Sequence, residues 1–410
     1  MSKSNETTPN VPILRFKQFQ DNWSSKRLSD IAEVVGGGTP DTTDSTLWNG
    51  GIQWFTPTEV GHSKYVSMSA RTISQLGLQK SSAKILPAGS ILLSSRATVG
   101  ECSITQKDCT TNQGFQNLIP KKGINNEFLY YLAQTQKRHF IKYASGSTFL
   151  EISNSEIKKT KCAVPSIEEQ TEIATFLSAI DRKIEVQNKI ISKYETLIKG
   201  LKNQLYSRKA RFTSHNKIPF PKWEKKQLSE ILSISTEKNG SQYSKEKVLS
   251  VSDEYGVVNQ IKFQGKSFAG QDISNYKVVK SGQIIYTRSP LAAKPFGIIK
   301  IVGNEIGIVS PLYIVNTVNN GYDALFIFYL FDTPQSTNNY LKPLVRVGAK
   351  HTMNISNDEW LSGTVIIPCL EEQKMIAGVL QSIDKKISFE KKVLEILKEQ
   401  KTYLLSKMFI

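Results

Sequence analysis

Two arginines stand in look-alike places. Arg96 follows LPAGSILLSS (86–95), and Arg288 follows VKSGQIIYT (279–287); each run is a turn glycine and then an apolar stretch. A guanidinium on a loop can grip a guanine edge or a phosphate with two parallel N–H donors. The competing reading is a surface arginine or an internal ion pair. A second matched pair of segments is YASGSTFLEIS (143–153) and VRVGAKHTMNIS (345–356). The hydroxyls of Ser147 and Thr148, the cations Arg346 and Lys350, His351 and the backbone N–H groups beside their glycines suit phosphate oxygens. Gln113 and Asn117, in TTNQGFQNLIP, carry amides that fit an adenine edge, or equally hydrogen bonds at a strand end. Trp23 and Trp223 each lead an apolar run and are expected in cores.

Covalent and metal chemistry find no foothold. His62, His139, His215 and His351 are scattered without metal spacing. Gly265-Lys266-Ser267 resembles the tail of a phosphate-binding loop, but Gln260 stands where its leading glycine belongs. Gly36–Gly38 lacks a dinucleotide pattern and reads as a flexible turn before Thr39-Pro40. Cys102, Cys109, Cys162 and Cys369 show no paired spacing and are expected as free thiols in a reducing compartment. No metal or cofactor is expected on the chain. The formal charge of +17 over 410 residues favours a polyanionic partner. The polar start reads as a flexible arm over 1–11. With no long apolar run in the sequence, a cytoplasmic, nucleoid-associated protein is expected.

The elements that must hold these loops are stated twice. VPSIEEQTEIATFLSAIDRKI (164–184) returns as IPCLEEQKMIAGVLQSIDKKI (367–387). Ile173, Leu177, Ile180 and Ile184, then Ile191, Tyr194, Ile198, Leu201 and Leu205, follow alternating steps of three and four. Ile376, Leu380, Ile383 and Ile387, then Leu394, Leu397, Leu404 and Met408, do the same. The polar breaks are Gln187, Glu390 and Lys401. Such a stripe belongs to a helix that pairs with another. Ser166 and Glu169 have capping-box spacing. Glu168, Glu169 and Gln170, with Glu371, Glu372 and Gln373, are expected at exposed helix starts as caps and a partner surface. Gly200 could mark a bend or a fray.

The division that follows is an arm (1–11), a block (12–163), a long helix (164–208), a second block (209–366) and a second long helix (367–410). The arm and first block together (1–163) hold nineteen basic and twelve acidic residues, and so does the second block (209–366), so the charge sits there and the helices are nearly neutral. The blocks share signposts: WSSKRLSDI (23–31) with WEKKQLSEI (223–231), and LEISNSEI (150–157) with MNISNDEW (353–360). Between these the two interiors differ strongly.

This ordered set, given twice, resembles the specificity subunit of a type I restriction–modification system. The resemblance implies an α+β fold of two target-recognition domains, mixed α/β blocks separated by two long antiparallel coiled-coil helices in a pseudo-twofold internal repeat. It implies a non-catalytic DNA-binding subunit. Each domain would read one half of a bipartite target, and the helices would set the spacing and dock two methyltransferase subunits. Those would use S-adenosylmethionine, and restriction subunits would use ATP and Mg. The sequence has no Asn/Asp-Pro-Pro-Tyr/Phe tetrapeptide of its own for amino methylation. The alternative is a solo sequence-specific DNA-binding protein, a degenerate or regulatory relative.

Overall fold

A computed structural model describes residues 10–146, 150–214, 216–288, 291–347 and 353–410. The candidates Ser147, Thr148, Lys350 and His351 lie outside them. The chain forms two compact units, one running up to Ile190 and including Glu390–Ile410, the other Ile191–Phe389. Each unit therefore owns one block and a part of both long helices. None of the described helices is long and apolar enough to cross a membrane.

The two stripes form helices of 40 residues, Ile167–Tyr206, and 39 residues, Leu370–Met408. At 1.5 Å per residue each is about 60 Å long. The first runs through Gly200 without a break. The opening residues of the stripe serve more than a helix pair. In the first unit, Ile173, Leu177 and Ile180 are buried with Phe128, Leu129 and Tyr131 of the block and with Leu404 and Met408 of the second helix, and Ile184 packs against the same core. In the second unit, Ile376, Leu380 and Ile387, with Ile383 alongside, join Phe326, Tyr329 and Ile327 and take in Ile198 and Leu205 of the first helix.

Each block is closed by the same clamp. Ser24–Arg27 pairs antiparallel with Lys161–Val164, Ser24 opposite Val164; Glu224–Gln227 pairs with Thr364–Ile367, Glu224 opposite Ile367. Entry and exit of the chain are thus adjacent strands. A one-turn helix follows each entry strand, Leu28–Ile31 and Leu228–Ile231, whose Leu and Ile are buried. The tryptophans before the clamps lie in aromatic clusters. Trp23 meets Phe128 and Phe409 edge-on, at 6.2 and 6.3 Å between ring centres. Trp223 meets Phe326 and Tyr206 in the same way, at 6.1 and 6.5 Å.

Beyond the clamp the first unit has a five-stranded sheet in the order Ala32–Gly36, Gln116–Pro120, Ile91–Leu93, Cys102–Thr105, Tyr65–Val66. The second has a four-stranded sheet in the order Leu232–Ile234, Ile314–Val318, Ile284–Thr287, Ile298–Ile301. The ladders match: Ile91 lies opposite Leu118 and Ile104, and Ile284 opposite Asn316 and Ile301. At matched core places the chemistry changes. Leu118 and Ile157 are both buried in the first unit's apolar core. Their counterparts are Asn316 and Trp360, fully buried, with the Trp360 indole donating to Asn316 Oδ1 at 2.9 Å. The added sheets differ altogether. The first unit has Arg71–Ile73, Trp48–Phe55 and Cys109–Thr111 in one sheet; the second has two separate pairs, Leu249–Ser252 with Gly256–Asn259 and Lys277–Val279 with Gly307–Val309.

Two sequence expectations need correction here. Asn10 is no part of a loose arm, because its backbone and side chain both bond Trp23, as acceptor and donor respectively, at 2.9 and 2.7 Å. Gly37 and Gly38 are not a flexible turn. A Cβ on Gly37 would lie 2.0 Å from Asn112 O, and one on Gly38 2.3 Å from Ala83 N, so both are glycine because two backbones touch them.

Candidate nucleic-acid interface and its supports

The repeated phrase explains itself in its contacts. Glu169 takes two parallel bonds from Arg15, Nε to Oε1 and Nη2 to Oε2, each 2.7 Å. Glu372 takes the same pair from Arg211 at 3.1 and 2.6 Å. Gln170 Oε1 accepts from Asn125 N, and Gln373 Oε1 from Asp323 N, both at 2.9 Å. Asn125 and Asp323 cap the block helices Asn126–Thr135 and Ala324–Phe331, so each glutamine ties a long helix to the start of a block helix. Four helical positions after Leu177 and Leu380, Asp181 and Asp384 accept from Tyr131 and Tyr329, Oη to Oδ2, at 2.5 and 2.6 Å.

Glu169, Gln170, Glu372 and Gln373 are therefore internal, each no more than 2 % exposed, and their reading as a partner surface is overturned. Only Glu168 and Glu371 of the set face solvent. The capping box is half made. Ser166 Oγ accepts from Glu169 N, but the Glu169 carboxylate goes to Arg15. Lysines surround the two tyrosine–aspartate pairs. In the first unit Lys64 Nζ bonds Glu127, Tyr131 and Ser178 at 2.9, 3.1 and 2.6 Å, and Lys401 bonds Asp181 at 2.7 Å. Burial pushes the Lys64 ammonium below its usual range despite Glu127. In the second unit Lys202, Lys294 and Lys300 are all buried and share Asp253 and Asp332. Burial raises the Asp384 carboxyl, with Tyr329 opposing.

These supports leave the loops at the strand ends as the candidate interface. In the first unit the sheet gathers four segments there. Ser95 N bonds Gly114 O and Ile152 N bonds Ser95 O, at 2.8 and 2.9 Å, so the loops bearing Arg96 and Gln113 meet each other and the chain at Ile152. Thr39 Oγ1 donates to Gln113 Oε1, which adds the loop after the glycines. Arg96 is 44 % exposed at its side chain, with Nε 3.8 Å from Glu151 Oε2. The next residue, Ala97, sits at φ 62°, a left-handed conformation that costs a β-carbon residue energy and is stored where structure over-determines it. Asn117 is not among these loops. It is fully buried and donates to Val35 O and Thr111 Oγ1 at 3.1 and 2.8 Å, so the reading as an adenine-contacting amide gives way to the strand-internal one.

In the second unit Arg288 ends the strand Ile284–Thr287. Counted from the ladder, its counterpart is Ser95; Arg96 lies one residue further along, so the loops correspond and the arginines are out of step. Arg288 is half-buried, and its Nε is enclosed without a hydrogen-bond partner among the described residues. Lys277, held to Tyr313 O at 2.6 Å, is lowered by burial and by the Arg288 charge. Arg346 is 85 % exposed at its side chain and lies 3.2 Å from Glu359. Exposed aromatics that the sequence reading did not single out include Tyr65 and Tyr143 in the first unit and Tyr255, Phe263 and Phe268 in the second. Their exposure follows from tertiary placement, which residue type alone does not reveal. Among the described residues no cluster of His, Cys, Asp and Glu could hold a metal ion, and burial raises the thiols of Cys102, Cys109 and Cys162 to about 12, 11 and 12.

Known proteins share this plan. The chain is 37 % identical over 235 residues to the MjaIX type I restriction enzyme specificity subunit of Methanocaldococcus jannaschii, covering 54 % of each. It is 27 % identical over 204 residues to the EcoR124I/EcoR124II specificity subunit of Escherichia coli, covering 45 % of this chain and 50 % of that one. The matched part thus spans about half the length of these relatives. The fold is that of the crystal structure of a type I restriction–modification S subunit from M. genitalium, with a TM-score of 0.58 at 16 % identity, covering 98 % of this chain and 99 % of that one. The family model of the type I restriction modification DNA specificity domain matches twice, at residues 20–196 and 221–399, one copy for each block with its clamp and helix. The chain belongs to the type I restriction–modification DNA specificity family.

Proposed function

We propose that this chain is the non-catalytic DNA-specificity subunit of a type I restriction–modification complex. Each block reads one half of a bipartite duplex target, the first through the loops of Arg96, Gln113 and 145–151, the second through those of Arg288 and Arg346. The long helices set the distance between half-sites and dock two methyltransferase subunits, and restriction subunits join that complex. S-adenosylmethionine, ATP and Mg belong to those partners. The chain works in the cytoplasm, at the nucleoid. One observation carries this reading: the clamp and the Glu, Gln and Asp ties are repeated bond for bond, while the sheets beyond them differ. A repeated holder with unlike contents suits two readers of unlike sequences. Methylation-aware sequencing of DNA from cells with and without this chain tests it. A split motif that disappears with the chain is the expected result; an unchanged methylome removes the proposal.

A further inference from the structure

The second unit carries an aromatic surface on a hairpin that the described residues of the first unit do not repeat. The hairpin Leu249–Ser252/Gly256–Asn259 turns through Tyr255 and runs into the helix Gln260–Gln264. Tyr255 and Phe263 are 58 % and 45 % exposed, yet their rings lie 5.1 Å apart, tilted by 51°. Phe268, 60 % exposed, lies beside them in sequence with the Lys266 ammonium 5.1 Å from its ring. Lys262 is on the same short helix. Adjacent aromatic rings held in water are unfavourable for a stable fold and mark a contact surface. With lysines at its edge, the surface suits a partner that is both flat and anionic.

Its position points to the same partner. The turn that carries Tyr255 is latched to the loop that follows Arg288. Lys294, buried in that loop, bonds Asp253 Oδ1 at 2.6 Å, and Lys300 lies 3.3 Å from the same oxygen. The aromatic turn is therefore tied through Asp253 to Lys294, six residues along the chain from Arg288, whose Nε is unpaired among the described residues. Exposed aromatics next to a base-reading cation act in known nucleic-acid binders as stacking platforms or as wedges that open a base step. We propose that Tyr255 and Phe263 stack on a base of duplex DNA beside the position read by Arg288, opening one step within the second half-site. This rests on the DNA-reading function proposed above.

The test uses the full chain and a randomised duplex library. Bound duplexes are sequenced, and affinity for the selected duplex is measured by fluorescence anisotropy, with 2-aminopurine placed along the second half-site. The variants are Tyr255→Ala with Phe263→Ala, Tyr255→Leu with Phe263→Leu, and Tyr255→Phe alone. Both sites are exposed, and circular dichroism melting checks that each variant folds. The Ala and Leu pairs should each lose about tenfold in affinity and the 2-aminopurine signal at one position. Their selected first half-site should be unchanged. Tyr255→Phe should bind as the parent does. Ala and Leu pairs that keep parental affinity and signal overturn the platform, and so does a loss seen only in binding to a partner protein. A parent that selects no duplex removes the DNA-reading function and the platform together.

Discussion

Gln187 and Glu390 face each other across the long helices. The Gln187 amide donates to the Glu390 carbonyl oxygen at 3.0 Å and also to its carboxylate, and both side chains are buried. They are 203 residues apart and occupy the same place in the two copies of the repeat. The first copy's polar interruption thus meets one of the second copy's two, while the other, Lys401, bonds Asp181. A buried polar pair in an apolar seam fixes register and lowers stability.

Replacing this pair should therefore separate the two effects. Gln187→Ala should lower stability by about 1–3 kcal/mol, since it removes a buried donor. Gln187→Leu with Glu390→Leu should melt above Gln187→Ala and near or above the parent. Thermal denaturation of the three proteins is the check. A double-Leu protein that melts below the single variant would mean the pair is a net stabiliser.

The arginine clamps on the helix starts should be of similar worth in the two units. Glu169→Gln removes a carboxylate that is 2 % exposed and bound at both oxygens, and Glu372→Gln does the same at 0 %. Each should cost about 2–4 kcal/mol, because the arginine is left partly buried without its anion. Trypsin should then cut faster after Arg15 in the first variant and after Arg211 in the second. Unchanged melting and digestion would show that the helix starts are held by packing alone.

The Asp253 latch predicts an acid-sensitive second unit. Burial pushes this carboxyl up, but bonds and charge from Lys294 and Lys300 outweigh it and leave it below 3.8. A folded pKa below the unfolded one means stabilisation that is present at neutral pH and lost as pH falls from about 4 downward. Asp253→Asn should lower stability at pH 7 by about 2 kcal/mol, discounted because the side chain is 35 % exposed. It should also flatten the fall of the melting temperature as pH drops below about 4. An equal acid slope in both proteins would take Asp253 out of the account.

DNA affinity should fall steeply with salt. The blocks carry the excess of cations, and each phosphate neutralised releases counterions. Anisotropy titrations of the selected duplex at several salt concentrations should give a straight line in log K against log salt. Arg96→Ala and Arg288→Ala should each weaken binding, with relaxed choice at one base if the guanidinium reads an edge and a shallower salt slope if it holds phosphate. A flat salt response would sink the electrostatic argument.

What the sequence revealed was what repeats. The stripe of Ile173, Leu177 and Ile180 and its copy are periodic, so their burial was legible, as was the frame marked by Trp23 and Trp223. Glu169 was misjudged for a physical reason. Its type and place say exposed cap, and its true partner, Arg15, is 154 residues away, a distance no local spacing reports. Gly37 and Gly38 were misjudged likewise, since the two segments that crowd them, at 111–112 and 82–83, lie far along the chain. Asn117 was open between an adenine contact and a strand-end hydrogen bond, because residue type alone does not show that the strand Gln116–Pro120 lies inside the sheet, second of five in its order. Arg96 and Arg288 look aligned by eye, and only the ladder shows the one-residue slip.

The aromatic cluster around Trp23 has a consequence for the order in which the protein is made. Its partner Phe128 is available early, but Leu404, Met408 and Phe409 complete the same core and leave the ribosome hundreds of residues later. The second unit's core, from Ile198 to Ile387, is finished before them. During synthesis the second block can therefore close first, while the first waits with part of its apolar surface uncovered and open to aggregation or chaperone capture. The block that comes first off the ribosome is the last to be completed.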